Sequence, residues 1–246
     1  MRGRRILRGL VPPALILLLW QGAVTLFALP PYLLPGPWRV AQTLVTEAGV
    51  IGAEALRTAG EVLAGFTLGA LLGAGLALAM ASSERLRDAI RPALFVSQTI
   101  PVFALAPILT LWLGFGLAPK IAVTVLIVFF PVATAFLDGL ASTPPAFLDL
   151  ARTMGATPAR TMLRLRVPAA LPSLATGLRL AAIYAPVGAV IGEWVGGAKG
   201  LGALMLHANG RMKIDLVFAS LIVLALMTVL FFRLVDLACR RWCETR

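Results

Sequence analysis

The chain has 246 residues, of which 59% are hydrophobic and only 13% are charged, and its mean hydropathy is +0.91. This composition excludes an ordinary soluble domain of this length and indicates an all-α polytopic membrane protein. The net charge of +11 does not indicate a nucleic-acid partner, because no basic patch is interleaved with aromatic residues.

The first apolar run covers residues 11–29 and follows an Arg-rich segment at residues 1–10. Its 19 residues would form a helix of about 28 Å, which is long enough to cross the hydrocarbon core. A cleaved signal peptide is the alternative, although the run is longer than a usual signal-peptide core and lacks a clear small-x-small cleavage site. Residues 30–52 then form a predicted loop with a short surface helix from Trp38.

The second predicted span covers residues 56–81 and contains a glycine at every fourth position, Gly65, Gly69 and Gly73. This spacing puts a smooth groove on one helix face, where a second helix can approach closely. The groove serves either packing within the chain or a contact between two copies.

A short charged loop at residues 82–92 precedes the third predicted span, residues 93–113. Pro101 and Pro107 would bend this helix and free backbone carbonyls, which is tolerated where a watered cavity or neighbouring helices satisfy them. The span is therefore the first candidate for lining a passage, and a structural kink without exposure to a passage is the alternative. Its polar and helix-bending candidates are Gln98, Thr99, Pro101 and Thr110.

The fourth predicted span, residues 121–140, leads into a polar island at residues 149–172. Thr143 followed by two prolines predicts a helix start, and Gly155 suits the left-handed position that ends a helix. Phe147, Ala151 and Met154 share one face of this first helix.

The second helix of the island starts at Thr157 and Pro158 by the same rule. Arg160 and Arg164 lie one turn apart on it, and Pro168 is predicted to end it. A merely solvated loop with two short helices is the alternative interpretation.

The island resembles the cytoplasmic "EAA" loop of the membrane subunits of ABC importers, in which Glu-Ala-Ala precedes Gly, nine residues follow, and Ile-x-Leu-Pro closes the motif. This chain differs by mild exchanges, of which Leu150 for the first Ala is the bulkiest. The resemblance implies that the loop docks into a cleft of an ATPase subunit, with Arg160 and Arg164 at the rim. The residues to which it assigns this role are Asp149, Ala151, Gly155, Arg160, Arg164, Leu165 and Pro168.

The fifth and sixth predicted spans cover residues 173–195 and 216–235, with an exposed segment between them that carries the single histidine, His207. Tyr184 and Glu193 of the fifth span are further candidates for the passage, because an ionisable group inside a span is a functional hypothesis by default. Glu193 would otherwise form a structural pair with Arg211 or Lys213. Arg179 is close enough to the inner end to extend its guanidinium to the membrane surface.

Positive charge is distributed unequally between the two sides of these six predicted spans. Fifteen of the 22 Lys and Arg residues fall on the side of the two termini and of the island, and six fall on the other side. The bias predicts that both termini and the island are cytoplasmic.

The sequence offers no catalytic residues, no metal ligands and no bound cofactor of its own. It lacks the G-x-x-x-x-G-K-[ST] phosphate cradle, so ATP would be used by a partner subunit. Cys239 and Cys243 are one helical turn apart, but metal binding needs more ligands, and His207 is predicted to lie across the membrane.

The runs QTIPVFALAPILTLWLGFG and AAIYAPVGAVIGEWVGGAKGLGALMLHANGRMKIDLVFA extend the resemblance to permeases of the nitrate, sulfonate and taurine class. Within that class the second run is most similar to members associated with hydroxymethylpyrimidine, a thiamine precursor. Sulfonate, taurine or nitrate import is the alternative. An ion-coupled secondary transporter or channel would predict intramembrane carboxylates and inverted repeats, and a membrane enzyme would need a nucleophile or a metal.

The resemblance implies the type I ABC importer permease fold with six transmembrane helices, in a single permease domain over residues 1–246 with a coupling loop at residues 141–172. Its implied location is the inner membrane of a bacterial or archaeal cell. Its implied partners are a cytoplasmic ATPase subunit, an external solute-binding protein and a second permease subunit in a homodimer.

Overall fold

A computed structural model describes the backbone of residues 2–244 and the side chains of residues 11, 12 and 14–242. Within these residues the chain is all-helical and contains no strand. The side chains of the Arg-rich segment 1–10 and of Arg246 lie outside the described residues, so their share of the charge bias stays a prediction.

The helices are α1 (Arg2–Leu26), α2 (Pro37–Thr46), α3 (Ala48–Ser82), α4 (Glu84–Ser97), α5 (Val102–Leu113), α6 (Leu117–Ala141), α7 (Pro145–Thr153), α8 (Pro158–Thr161), α9 (Val167–Gly196), α10 (Leu201–Gly210) and α11 (Ile214–Glu244), with a π-helical turn (Met162–Arg166) before α9.

Four stretches of the described chain are long and apolar enough to cross a membrane, namely α3, α6, the run from α8 through α9, and α11. They are 25 to 39 residues long, whereas about 20 residues suffice to cross the hydrocarbon core. The α4–α5 pair is a fifth candidate if the two helices are counted as one span. The first predicted span, residues 11–29, falls on α1, which ends at Leu26, and the part of it among the described side chains is the apolar stretch Ala14–Leu26. Within the described part of the chain, four or five spans are therefore supported, and the predicted six are not established.

The third predicted span is not one helix, because α4 and α5 meet at an angle of 100°. The break falls just before Pro101, which has an extended backbone and precedes α5. Helix α4 ends at Ser97, and Pro101, which disfavours a helical backbone at the residue before it, keeps the intervening segment from continuing the helix. Pro107, the other predicted bending point, lies inside α5. The predicted charged loop at residues 82–92 is also wrong, because Glu84 already starts α4.

The three glycines spaced four apart on α3 face α6. A Cβ atom added to Gly65, Gly69 or Gly73 would lie less than 3.0 Å from atoms of α6, so each position requires glycine, which has no side chain. The stripe therefore serves packing within the chain, one of its two predicted roles. Gly177, Gly188 and Gly192 of α9 likewise approach α6. Helix α6 is thus held closely between α3 and α9, which makes these three helices the centre of the fold.

Two shorter helices lie outside this centre. Helix α2 is the surface helix that the sequence predicted from Trp38. Helix α10 was not predicted, since the glycine-rich segment 196–215 was expected to be a loop. Its buried residues, among them Leu201 and Ala208, pack with Leu216 and Ala219 of α11, and this apolar cluster explains why the segment is helical.

Candidate functional site

The connection between α6 and α9, residues 142–166, is here named the interspan loop. Gly155 ends its first helix in the left-handed region, with φ of +75°, as the sequence predicted. Its N–H donates to the carbonyl oxygen of Arg152 at 2.9 Å, and the N–H of Ala156 donates to that of Ala151 at 2.9 Å. No other group lies within 4 Å of a Cβ added to Gly155, so only the backbone conformation requires glycine there.

The first turn of α7 differs from the prediction. Thr143 was expected to cap the helix, but Pro144 occupies the N-cap position and Pro145 begins the helix. The side chain of Thr143 is buried, and its hydroxyl oxygen has no hydrogen-bond partner among the described residues. The prolines supply the fixed φ that starts the helix, so no side-chain cap is needed.

Helix α7 presents apolar side chains outward. Phe147 is 54% exposed, Leu150 is 56% exposed and Met154 is 78% exposed. Ala151 is half-buried between them, and Asp149 forms an exposed ion pair with Arg152 at 3.1 Å. Large apolar residues on an otherwise polar loop are typical of a surface that a partner protein or a membrane covers.

The second half of the loop continues into α9 without a break. The hydroxyl of Thr157 accepts a hydrogen bond from the N–H of Arg160 at 3.3 Å, as expected for a helix start. The prediction that Pro168 ends this helix is wrong, because Pro168 lies in the first turn of α9. The π-helical turn before it lets the N–H of Val167 donate to the carbonyl oxygen of Met162, five residues back. Pro168 at that position therefore needs no N–H.

The remaining loop residues to which the resemblance assigned a role differ in exposure. Arg160 and Arg164 are exposed, and Leu165 and Pro168 are half-buried. Leu165 belongs to the π-helical turn, so its side chain does not continue the face of α8. Their role in coupling stays a prediction.

Arg166 joins the interspan loop to the rest of the molecule. Its Nε donates to the carbonyl oxygen of Leu140 at 3.0 Å, and its Nη1 donates to that of Ala81 at 3.2 Å. These carbonyls belong to the last turns of α6 and α3, where a cation is favoured. Sequence reasoning missed this role because the acceptors are backbone atoms far away along the chain.

A groove of about 550 Å³ lies between α4, α5, α6 and α9. It brings together two of the predicted passage residues, Gln98 and Tyr184. Its other polar lining residues, Thr134, Asp138 and Thr176, were not singled out in the sequence. Asp138 lies near the end of α6, and no local sequence pattern shows which face of that helix is open.

The other predicted passage residues lie outside this groove. Thr99 and Pro101 are exposed at the break between α4 and α5. Thr110 is buried, and its hydroxyl donates to the carbonyl oxygen of Ala106 at 2.9 Å. Whether these three residues line a passage stays a prediction.

Glu193 is fully buried at the far end of α9, away from the interspan loop. Its carboxylate accepts a hydrogen bond from the hydroxyl of Thr58 at 2.6 Å and another from the N–H of Gly202. These groups, and not Arg211 or Lys213, are its hydrogen-bond partners. Both oxygen atoms of this buried carboxyl group therefore have a hydrogen-bond donor.

Glu61 and Lys120 form a buried ion pair beside Glu193. Their Oε1 and Nζ atoms are 2.7 Å apart, and their side chains are 2% and 4% exposed. Lys120 also donates to the carbonyl oxygen of Lys199 at 2.7 Å, and Glu54 accepts from the N–H of Gly200 at 2.6 Å. This Glu193 cluster, which comprises Glu54, Thr58, Glu61, Lys120 and Glu193, fastens α3 and α6 to the segment between α9 and α10.

The pairing of Lys120 was not predicted, because its partner is 59 residues away along the chain. Arg179 donates to Asp236 of α11 at 2.7 Å, a partner that the sequence did not predict. Among the described side chains, no group of three or more His, Cys, Asp or Glu residues is arranged to hold a metal ion.

The sequence profile of the family described as "Binding-protein-dependent transport system inner membrane component" matches residues 65–242, which include the interspan loop and the groove. A probable ABC transporter permease protein of Haemophilus influenzae is 45% identical over 94% of this chain and 95% of its own length. The formylaminopyrimidine transport permease protein ThiX of Halalkalibacterium halodurans is 38% identical over 89% of this chain and 87% of its own length. The riboflavin transport system permease protein RibX of Chloroflexus aurantiacus is 36% identical over 93% of this chain and 87% of its own length. Permeases named for aliphatic sulfonates and taurine are 29% and 28% identical.

Among solved structures, the chain resembles one in the crystal structure of an amino acid ABC transporter with histidines. The TM-score is 0.67, and the match covers 81% of this chain and 97% of the other. The sequence identity is 18%, so this likeness concerns the fold alone.

Proposed function

Because the chain belongs to the family of inner membrane components of binding-protein-dependent transport systems, we propose that it forms the pathway by which an ATP-driven importer moves a small organic solute. The chain is a multi-pass inner membrane permease of the ABC class, and its relatives are transport subunits and not ATPases. Family membership also supports an ATPase subunit and a solute-binding protein as partners. Two copies of this chain would complete the pathway.

The exposed apolar face of α7 carries the coupling part of the proposal. Phe147, Leu150 and Met154 are open to solvent on a loop that joins two of the central helices. Seating this face in a cleft of the ATPase would bury it and leave Arg160 and Arg164 at the rim. The loop would then lie in the cytoplasm, where ATP is available, together with both termini.

Movement of the ATPase would reach the membrane through both ends of the interspan loop. The loop follows α6 directly and continues into α9 without a break. ATP-driven closure of the ATPase would displace these two helices and open the pathway outward, and hydrolysis would reverse the displacement. The groove between α4, α5, α6 and α9 is the part of the pathway that this chain contributes, and Gln98 and Tyr184 are the predicted residues in it.

The substrate that we assign is a pyrimidine precursor of thiamine, represented by hydroxymethylpyrimidine. The support is the resemblance over residues 181–219 and the 38% identity to a permease named for formylaminopyrimidine. The permease named for riboflavin, another nitrogen heteroaromatic compound, is 36% identical. Import of a sulfonate, taurine or nitrate is the second candidate, favoured by the relatives at 29% and 28% identity.

Uptake into proteoliposomes that contain this chain with its ATPase and binding protein tests the assignment. We expect labelled hydroxymethylpyrimidine to accumulate only when ATP is enclosed with the ATPase, and to do so in preference to riboflavin, taurine and nitrate. Accumulation of taurine in place of hydroxymethylpyrimidine would move the chain to the second candidate. Accumulation without ATP, driven by an imposed ion gradient, would refute the importer mechanism.

A further inference from the structure

The groove between α4, α5, α6 and α9 has an unusual balance of hydrogen-bonding groups. Asp138 is exposed in it and has no ion-pair partner among the described residues. No Lys, Arg or His is among the described residues that line the groove. An uncompensated carboxylate in such a site attracts hydrogen-bond donors and repels anions.

The two threonine hydroxyls of the groove add acceptors and not donors. The hydroxyl of Thr134 donates to the carbonyl oxygen of Phe130 at 2.9 Å, and that of Thr176 donates to the carbonyl oxygen of Pro172 at 3.1 Å. Because each hydroxyl has one hydrogen, only its lone pairs remain available to a ligand. Pro131, which also lines the groove, has no N–H and leaves the carbonyl of Ile127 without its usual helical donor.

Donors and apolar surface come from a few lining residues. Only the amide of Gln98 and the hydroxyl of Tyr184 can donate a hydrogen bond from a side chain described in the groove. The rings of Phe130 and Tyr184 offer aromatic surface. A volume of about 550 Å³ falls within the range of small-molecule sites.

From this balance we infer that the groove is a binding site for an uncharged or cationic amino-heteroaromatic solute, with Asp138 accepting a hydrogen bond from its exocyclic amino group. Carboxylates accept in the same way from the amino group of cytosine, which is itself an aminopyrimidine. A nitrate or a simple sulfonate presents only acceptors, so it would find side-chain donors only in Gln98 and Tyr184 and would lie beside a negative charge. Asp138 thus determines specificity within the permease. The inference rests on the proposed function, to which it adds the groups of this chain that would recognise the substrate.

Direct binding to the complex of this chain with its ATPase, without the binding protein, isolates the contribution of the groove. Equilibrium dialysis would compare labelled hydroxymethylpyrimidine with ethanesulfonate, which is taurine without its ammonium group. We expect the wild-type complex to bind hydroxymethylpyrimidine and not ethanesulfonate. Asp138→Asn should weaken binding of hydroxymethylpyrimidine by about ten- to hundredfold, the usual effect of losing a hydrogen bond to a charged group.

Two matched variants separate this effect from a folding defect. Asp138→Glu keeps the carboxylate and should retain most of the binding. Asp88→Asn removes an exposed carboxylate of α4 outside the groove and should bind as wild type does. Tyr184→Phe provides a second variant in the groove, and its expected loss of binding is severalfold.

The outcomes distinguish this inference from the proposed function. If the wild type imports hydroxymethylpyrimidine with ATP while Asp138→Asn binds it as tightly as wild type, the groove assignment is wrong and the proposed function stands. Failure of the wild-type complex to bind hydroxymethylpyrimidine would also overturn the groove assignment. Import and binding of ethanesulfonate in place of hydroxymethylpyrimidine would overturn the groove assignment and move the proposed substrate to the second candidate.

Discussion

At the scale of single residues, the Glu61–Lys120 pair is the most demanding feature of the molecule. Both side chains are almost fully buried and 2.7 Å apart, and Lys120 has a second acceptor in the carbonyl of Lys199. One oxygen of Glu61 is buried and has no hydrogen-bond partner among the described residues, so its charge is balanced chiefly by Lys120. Removing one member of such a pair leaves an uncompensated buried charge.

Lys120→Met should therefore lower the free energy of unfolding by about 3–5 kcal/mol. The double variant Glu61→Met with Lys120→Met should recover most of this loss, because a buried pair replaced by apolar residues of similar size is often neutral. Denaturant unfolding of the detergent-solubilised protein measures the free energy of unfolding of the single and the double variant. A single variant as stable as the wild type would contradict the role assigned to the pair.

Single residues also mark the limit of sequence reasoning. Gly155 and Thr157 follow local rules of helix ends, and the sequence predicted both correctly. Lys120 and Arg166 find their partners 59 and 26 or more residues away, and no local pattern encodes these contacts. The same is true of Asp138, whose exposure depends on which face of α6 the other helices cover.

At the scale of the helices, close packing of α6 against α3 and α9 decides the fold. The sequence predicted the glycine groove on α3 from its spacing, but left open whether the partner helix belongs to the same chain. The position of the α4–α5 break was less accessible, since two prolines were available and only the chain around Pro101 leaves the helix. Proline spacing indicates a bend but not its angle, which depends on the neighbouring helices.

The pair of variants Gly73→Ala and Gly75→Ala tests the packing of α3 on α6. A Cβ at Gly73 would lie 2.5 Å from the carbonyl oxygen of Phe129, whereas a Cβ at Gly75 meets nothing within 4 Å. We expect Gly73→Ala to destabilise the protein by about 1–3 kcal/mol through overpacking. Gly75→Ala should stabilise it by up to about 1 kcal/mol, because alanine favours a helix. Equal unfolding midpoints for the two variants would contradict this packing.

Arg166 acts between helices, since it connects the interspan loop with the last turns of α3 and α6. Arg166→Met should reduce solute transported per ATP hydrolysed by about tenfold, because two charge-assisted hydrogen bonds are lost. Arg85→Met, at an exposed arginine of α4 near the same end, is the control and should transport as the wild type does. Parallel uptake and ATPase assays measure the ratio, and an unchanged ratio in Arg166→Met would refute the connection.

At the scale of the whole molecule, the interspan loop and the Glu193 cluster lie at opposite ends of the same three helices. The loop contacts the near ends of α3 and α6 and continues into α9, and the cluster fastens the far ends to the segment before α10. We therefore expect α3, α6 and α9 to move together when the loop is displaced. The sequence predicted the order of spans and the helix pair of the loop, but the shared movement follows only from contacts between distant residues.

Gly155 is the residue at which coupling of ATP hydrolysis to the pathway through the interspan loop is tested most directly. Its φ of +75° strains a β-branched residue, whereas asparagine tolerates this region. No other group crowds the position, so Gly155→Val and Gly155→Asn differ mainly in backbone conformation. We predict that ATP-driven uptake of hydroxymethylpyrimidine falls about tenfold or more in the valine variant and stays near the wild-type rate in the asparagine variant. Equal uptake by both variants and the wild type would contradict the account.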